Sequence, residues 1–152
     1  MTKTLALLFT AGLIFWLTSC LDTECIDETR AYVKVSFYDY DTIRVASPDS
    51  ITLFGVGNDV KIYDNIKKIA LPALMPLKDS DNETEFIIEI NGTADTIRFI
   101  HSNYLHLISK ECGYSMYHSL DTVYFTSNKI DSISFTNKDI TLKNIENVAI
   151  FY

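Results

Sequence analysis

The chain has 152 residues, of which 47% are hydrophobic, and this is enough sequence for one globular domain. Thirteen basic residues face 20 acidic ones, so the formal net charge is −7. An acidic chain without a basic patch argues against a nucleic-acid partner and against electrostatic adhesion to anionic lipid.

Residues 1–19 have the organisation of a secretory signal peptide. Lys3 supplies a positive charge, and no charged residue occurs from Leu5 to Leu17. This apolar run is too short for a spanning helix, which needs roughly 17–25 residues. We therefore predict a cleaved leader rather than a membrane span.

The sequence Leu17-Thr18-Ser19-Cys20 resembles the lipobox of bacterial lipoproteins. In such proteins the Cys thiol receives a diacylglyceryl group, the leader is cut before it, and the new amino terminus is acylated. Two or more acyl chains anchor a protein stably. We predict lipidation at Cys20 and a lipidated tether over residues 20–30. The alternative is a general secretion signal with a coincidental cysteine.

The residue after Cys20 bears on the membrane in which the protein resides. By analogy with enterobacterial sorting, Asp at this position favours the inner membrane, so Leu21 favours the outer membrane. Acidic residues near the anchor direct some Bacteroidetes lipoproteins to the cell surface, and Asp22, Glu24, Asp27 and Glu28 lie close by. Their arrangement differs from that signal, so periplasmic and surface-facing orientations both stay open.

Cys25 and Cys112 remain once Cys20 is lipidated. Two cysteines in an oxidising envelope favour a disulfide, which would close a loop of about 88 residues and stabilise the fold by roughly 4–5 kcal/mol in the chain-entropy model. A zinc site is the weaker alternative, because the chain has no CxxC, HExxH or His/Cys cluster. We predict the Cys25–Cys112 disulfide, and neither a metal nor a cofactor.

Residues 31–152 have the patterns of a β domain. In "YVKVSFY", Val33, Val35 and Phe37 share one face, which is the period of a half-buried strand. "EFIIEI", the turn Asn91-Gly92 and "ADTIRFIH" together predict a hairpin. Further strands are predicted at "ITLFGV", "YLHLIS", "TVYFTS", "DSISFTN" and "NVAIFY".

The two prolines of "LPALMPL", residues 71–77, indicate a crossover or an edge strand. Eight or nine short strands predict a single-domain antiparallel β-sandwich of immunoglobulin-like or transthyretin-like build. A small barrel is the alternative.

No catalytic residue is predicted. His101 and His106 flank a predicted turn at Ser102-Asn103 and would approach each other across it, but packing or surface roles are commoner than metal binding for such a pair. No serine has a nucleophile motif around it. "DSDNETE", residues 79–85, starts like a calcium loop but lacks its glycine and closing glutamate. The protein is therefore predicted not to be an enzyme.

Five tripeptides place Asp before Ser or Thr and then an aliphatic residue, as in the O-glycosylation motif of exported Bacteroidetes proteins. The alternative is an ordinary turn aspartate before a strand. The candidate acceptors are Thr42, Ser50, Thr96, Thr122 and Ser132.

Three features together resemble a Bacteroidetes family of small lipoproteins, domain-of-unknown-function family 6452. They are Cys25 shortly after the anchor, Cys112-Gly113-Tyr114, and the closing segments "ISFTN" and "ENVAIFY". The resemblance implies an envelope lipoprotein and assigns no catalytic residue. Family members are often encoded beside a predicted outer-membrane barrel, which suggests such a partner.

The leading hypothesis is a non-catalytic protein-interaction module, lipid-anchored in the outer membrane and accessory to an outer-membrane β-barrel. The alternative is a surface lipoprotein that binds glycans or nutrients. The only tryptophan, Trp16, leaves with the leader, so Tyr38, Tyr40 and Tyr63 are the candidate sugar-stacking residues.

Overall fold

The computed structural model describes Cys25 and residues 28–58 and 60–152. The predicted signal peptide, residues 1–19, and the predicted lipidation site Cys20 lie outside these residues, as does most of the tether. The described part is all-β and forms two sheets. It contains no helix of the length and hydrophobicity that a membrane span requires.

Eleven strands follow one another along the described chain. They are β1 (Tyr32–Asp39), β2 (Arg44–Val45), β3 (Ile51–Gly55), β4 (Lys61–Ile66), β5 (Ala73–Pro76), β6 (Glu83–Ile90), β7 (Thr93–Ser109), β8 (Gly113–Phe125), β9 (Ser132–Phe135), β10 (Asp139–Ile140) and β11 (Val148–Phe151). The five-stranded sheet has the order β2-β1-β11-β9, with β5 also paired to β1, and the six-stranded sheet has the order β10-β8-β7-β6-β3-β4.

The first and last strands are paired in parallel, which differs from the predicted antiparallel arrangement. Val35 of β1 is in register with Val148 of β11, whereas the other strand pairs are antiparallel. A parallel pair needs a long connection, and here nearly the whole chain separates the two strands. Asn147 continues the pairing beyond the strand. Its side-chain Oδ1 accepts from the backbone N–H of Lys34 at 3.0 Å, and its backbone N–H donates to the Lys34 carbonyl at 2.8 Å.

The core lies between the two sheets and follows the alternation predicted from the sequence. The inward residues of β1, Val33, Val35 and Phe37, are fully buried, and Ile88, Ile90, Ile97 and Phe99 of β6 and β7 are equally buried. A sheet with one apolar face must cover it with a second layer. The prediction of a β-sandwich is confirmed.

The hairpin of β7 and β8 corrects one prediction. No turn occurs at Ser102-Asn103, because β7 runs unbroken for 17 residues and pairs with β8 from Ile97↔Phe125 to Ser109↔Gly113. Beyond Asn103 most side chains of β7 are exposed. The end of this hairpin therefore projects beyond the packed core. The proline-containing β5 pairs only with β1 among the described strands, as the edge prediction required.

Candidate functional site

The tip of the projecting hairpin is joined to the start of the described chain. Cys25 and Cys112 lie at disulfide-bonding distance, with their Cα atoms 4.9 Å apart. Cys112 belongs to the turn between β7 and β8, where its amide donates to Ser109 Oγ at 3.0 Å. Gly113 closes this turn with a φ of 70°, a value that L side chains rarely adopt. The structure thus brings together the two cysteines that the sequence paired.

The segment before β1 continues along the hairpin from its tip toward the core. Ser115 is buried, and its hydroxyl donates to the Thr29 carbonyl at 2.6 Å. Ala31, two residues after Thr29, is 3% exposed and belongs to the core. The cysteine pair and this contact therefore hold the N-terminal segment against the hairpin over several residues.

Asn103 forms the centre of a buried polar network at the base of the projection. Its Nδ2 contacts three backbone carbonyls of the loop that follows β5, with the closest, Asp81, at 2.6 Å. These contacts orient the amide, so Oδ1 must be the atom that accepts from the ring nitrogens of His101 and His118, each at 2.7 Å. The network therefore joins both central strands to the loop.

The orientation of Asn103 determines the histidine tautomers. Each imidazole donates its Nδ1–H, so the Nε2 of a neutral His101 accepts from the Thr84 hydroxyl at 2.9 Å. The corresponding Nε2 of His118 lies 3.6 Å from the Asp79 carboxylate. Burial and the neighbouring His101 lower the pKa of His118, while Asp79 opposes this shift. The neutral form of His118 is therefore favoured at neutral pH.

This arrangement corrects the predicted proximity of His101 and His106. The two residues lie on one continuous strand, and His101 instead contacts His118 on β8, with ring centroids 5.4 Å apart. His106 stacks on Tyr117 at 4.4 Å. Within residues 25, 28–58 and 60–152, no group of three or more His, Cys, Asp or Glu side chains is placed to bind a metal ion.

A cleft containing two tyrosines lies on the outer face of the hairpin. It has a volume of about 480 Å³ and is lined by Tyr104, His106, Tyr117, Asp139, Thr141, Leu142 and Lys143. Tyr104 and Tyr117 contact edge to face at 6.0 Å. Burial, followed by the nearby Asp139 carboxylate, raises the pKa of Tyr104 above its ordinary value. The cleft combines ring surfaces with groups of both charges.

The opposite face of the projection is apolar. The cross-strand pairs Leu105↔Met116 and Leu107↔Tyr114 place four side chains on the face that continues the core side of β7. Leu105 is 68% exposed, Leu107 51% and Tyr114 66%. We call Leu105, Leu107, Tyr114 and Met116 the hairpin apolar face.

A third exposed feature is the edge strand β4. Among the described residues it pairs only with β3, and the pairing is irregular between Leu53↔Tyr63 and its neighbours. Ile62 and Ile66 are exposed along it, and Val56 and Val60 are exposed just before it. An edge strand that carries apolar side chains is a template for pairing with a further strand.

The three tyrosines named as sugar-stacking candidates have separate environments. Tyr38 stacks on Phe151 at 5.2 Å, and its hydroxyl donates to Glu146 at 3.0 Å. The Tyr63 hydroxyl exchanges hydrogen bonds with the amide and carbonyl of Leu74 on β5. Tyr40 is exposed beyond the end of β1. The aromatic rings of the tyrosine cleft instead come from Tyr104 and Tyr117, which the sequence patterns did not single out, and from His106.

The five predicted O-glycosylation sites differ in exposure. Thr42 and Thr122 are exposed, whereas Ser50, Thr96 and Ser132 are half-buried. The Thr42 hydroxyl donates to Asp39 at 2.8 Å. Glycosylation at these positions stays a prediction.

Asp95, in one of these tripeptides, anchors the loop after β8. It is 3% exposed, and its carboxylate accepts from the Thr126 hydroxyl and from the amides of residues 128, 129 and 130. Burial alone would raise its pKa, but these four hydrogen bonds outweigh burial and lower the pKa. Asp95 shares the inward period of Ile97 and Phe99, and that pattern was the available signal for a buried carboxylate.

The described residues thus define a small β-sandwich whose longest hairpin projects from the core and is joined at its tip to the N-terminal segment. The chain belongs to a family of unknown function, DUF6452, whose model matches residues 50–152. This span contains the Cys112-Gly113-Tyr114 segment and both closing segments, but not Cys25. Comparison with curated proteins and with solved structures finds no match.

Proposed function

We propose that this protein is a lipid-anchored component of a Bacteroidetes cell envelope that acts as a non-catalytic protein-interaction module. Support comes from the Leu17–Cys20 lipobox, from a cysteine pair suited to an oxidising compartment, and from the family resemblance. The proposed site is the outer membrane, and the proposed partner is an envelope protein such as an outer-membrane barrel.

The open edge of β4 is the observation that carries this proposal. Backbone groups along a free edge can bind an extended segment of a partner, and alternate side chains then contact it. Exposed Ile62 and Ile66 supply apolar contacts on this edge. In the six-stranded sheet, β4 lies at the end opposite β10, and the strands β6 and β3 separate it from the anchored hairpin. The module can thus be tethered at one place and dock at another.

The test is a purification of the tagged lipoprotein from its native outer membrane in mild detergent, with partners quantified by mass spectrometry. Ile62→Lys places a charge on the edge, where lysine disfavours pairing with a further strand. We expect it to reduce the co-purified partner about tenfold, which corresponds to a loss of about 1.4 kcal/mol in binding free energy. Ile145→Lys is the matched control, because Ile145 is also exposed but lies in the loop before β11.

Two results would contradict the proposal. One is a wild-type protein that purifies alone under conditions that preserve other envelope complexes. The other is equal partner recovery from the two lysine variants and wild type, which would exclude the β4 edge as the docking site.

The tyrosine cleft favours glycan binding as a second candidate function. Aromatic faces flanked by Asp139 and Lys143 offer both stacking and hydrogen bonds to a sugar. A glycan-binding screen of wild type and Tyr104→Ala tests this role, with Tyr124→Ala as the control at another exposed tyrosine. Loss of binding only in Tyr104→Ala supports it, and the absence of any wild-type binding contradicts it.

A further inference from the structure

The hairpin apolar face departs from the polar surface expected of an exposed hairpin. Its cross-strand pairs Leu105↔Met116 and Leu107↔Tyr114 continue the inward face of a buried sheet, yet Leu105 and Tyr114 are about two-thirds exposed, at 68% and 66%. Exposed contiguous apolar surface in a soluble domain marks a contact surface. The hairpin apolar face is therefore expected to be covered by a partner.

The position of the cysteine pair indicates that this partner is the membrane. Cys25 is held at Cys112, in the tip of the hairpin, and Cys20 precedes Cys25 by five residues. A fully extended chain spans at most about 3.6 Å per residue, so the five-residue tether from Cys25 to Cys20 can extend no further than about 18 Å. Acyl chains on Cys20 would therefore hold the hairpin tip near the bilayer surface, whatever path the intervening chain takes.

The apolar side chains lie close enough to that tip to reach the bilayer. Leu107 is two residues from Ser109, the last residue of β7, which corresponds to about 7 Å at the strand rise. Leu105 is about 7 Å further along the strand. The whole hairpin apolar face therefore lies within the distance that the short tether allows.

Polarity changes along the hairpin in the direction that membrane contact requires. Leu105 and Met116 line one hollow together with Asp79 and Asp81, which border the face at the end remote from the tip. Nearer the tip, the face is formed by Leu107 and Tyr114 and has no acidic side chain of its own. The turn at the tip carries one positive residue, Lys110, and one negative residue, Glu111. Tyrosine is favoured at membrane interfaces because its ring is apolar and its hydroxyl is polar.

We propose that the hairpin apolar face rests on the lipid bilayer, with Leu107 and Tyr114 at the boundary between headgroups and acyl chains. This inference rests on the lipid anchor of the proposed function. A lipid anchor alone allows the domain to rotate relative to the membrane. A second contact, at the hairpin apolar face, would fix the orientation of the domain and thus determine which surfaces face away from the bilayer. The β4 edge then points to a defined side for its partner.

Tryptophan fluorescence of the purified lipoprotein in vesicles of phosphatidylethanolamine and phosphatidylglycerol tests the inference. The only native tryptophan, Trp16, leaves with the predicted leader, so the mature lipoprotein supplies no tryptophan background. Leu107→Trp then reports on the face, and Leu105→Trp provides a second reporter at another exposed position. Tyr124→Trp is the control, since Tyr124 is exposed near the opposite end of β8. Mass spectrometry of the same preparations reads the acylation of Cys20 independently.

We expect the emission of the Leu107→Trp variant to shift to shorter wavelength and to fall about twofold when brominated acyl chains replace ordinary ones, because interfacial groups penetrate about 5–10 Å. The Tyr124→Trp variant should show neither change. An acylated protein whose introduced indole stays in water, in both the Leu107→Trp and the Leu105→Trp variants, overturns the membrane contact and leaves the anchor intact. Unmodified Cys20 overturns both. Shielding without quenching by brominated lipid overturns the inference in favour of a protein or a second copy as the cover.

Discussion

His101 and His118 lie on neighbouring strands and donate to the same atom, Asn103 Oδ1, at 2.7 Å each. This shared acceptor sits where the packed core ends and the projecting hairpin begins. The inward residues of β7 immediately before His101 are apolar, whereas Asn103 and the two histidines form a polar network. The Asn103 side chain also donates to carbonyls of the loop after β5. The network therefore sets the direction of the hairpin relative to the sandwich.

Replacing Asn103 tests this role. In Asn103→Asp the carboxylate can still accept from both imidazoles but cannot donate to the loop carbonyls, so we expect a loss of about 2–4 kcal/mol in the free energy of unfolding. The new negative charge should also raise the pKa of His118. Urea unfolding and an NMR titration of His118 measure the two effects, with the exposed Asn144→Asp as control. Unchanged stability would show that the loop does not depend on Asn103.

The lowered pKa of His118 predicts a loss of stability on acidification. Because the folded state binds this proton less readily than the unfolded state, whose value is near 6.5, stability is fully present above that pH and falls as the pH decreases toward the folded pKa. The slope contributed by one group is at most about 1.4 kcal/mol per pH unit. Both His101 and Asp79 face the ring: His101 lowers the pKa further and adds to the effect, whereas Asp79 raises it and moderates the effect.

Urea unfolding between about pH 5 and 8 measures this dependence. His118→Gln should be less stable at neutral pH but should lose this component of the slope below about pH 6.5. His106→Gln changes a histidine outside the buried network and is the control. A full wild-type slope in His118→Gln would assign the acid sensitivity to another group.

The Asp95 carboxylate should stabilise the loop after β8 through its four hydrogen bonds. Asp95→Asn puts an NH₂ group against backbone N–H donors, and we expect a loss of about 2–4 kcal/mol at neutral pH. The folded pKa is lowered, so the contribution of Asp95 is present above 3.8 and disappears as the pH falls through the folded value. The difference from wild type should therefore shrink as the pH falls below that value. Asp131→Asn, at an exposed carboxylate, should behave like wild type throughout.

The cysteine pair should supply a large share of the stability. Cys25→Ser/Cys112→Ser removes the cross-link without leaving a lone thiol, and the chain-entropy model predicts a loss of up to about 4–5 kcal/mol. The contact between Ser115 and Thr29 should also loosen, which hydrogen exchange of residues 28–31 would detect. Reductant should reproduce the effect in wild type and change nothing in the variant. A loss below about 1 kcal/mol would contradict the prediction.

Any O-glycosylation should follow the exposure of the acceptor hydroxyls. Thr42 and Thr122 are exposed, so we expect glycans there before Thr96, whose amide is bonded to the Thr126 hydroxyl at 2.9 Å. Glycopeptide mass spectrometry of the native protein measures occupancy, and Thr42→Val with Thr122→Val should remove most of the added mass. Glycan confined to Thr96 would contradict this order.

The period-2 patterns predicted the strands that have one face buried in the core and the other face exposed to solvent. Val33, Val35 and Phe37 point into the core as expected, because alternate residues of a strand face opposite sides of a sheet. The patterns predicted strands on both sides of Ser102-Asn103 but placed a turn between them where β7 is continuous, and they did not predict the first half of β8. In the projecting hairpin both faces are partly exposed, so the contrast between buried and solvated positions on which the pattern depends is absent.

Residue composition and local spacing determined the sandwich class, the cysteine pair and the family resemblance, because each depends on residues near one another in sequence or on compartment chemistry. Only the tertiary structure decided that His101 meets His118 rather than His106, that Asp95 caps a distant loop, and that the cysteine pair joins a tether to the hairpin tip. Those contacts depend on strand register and strand order, which arise from the packing of the whole sheet and are not encoded in any single segment.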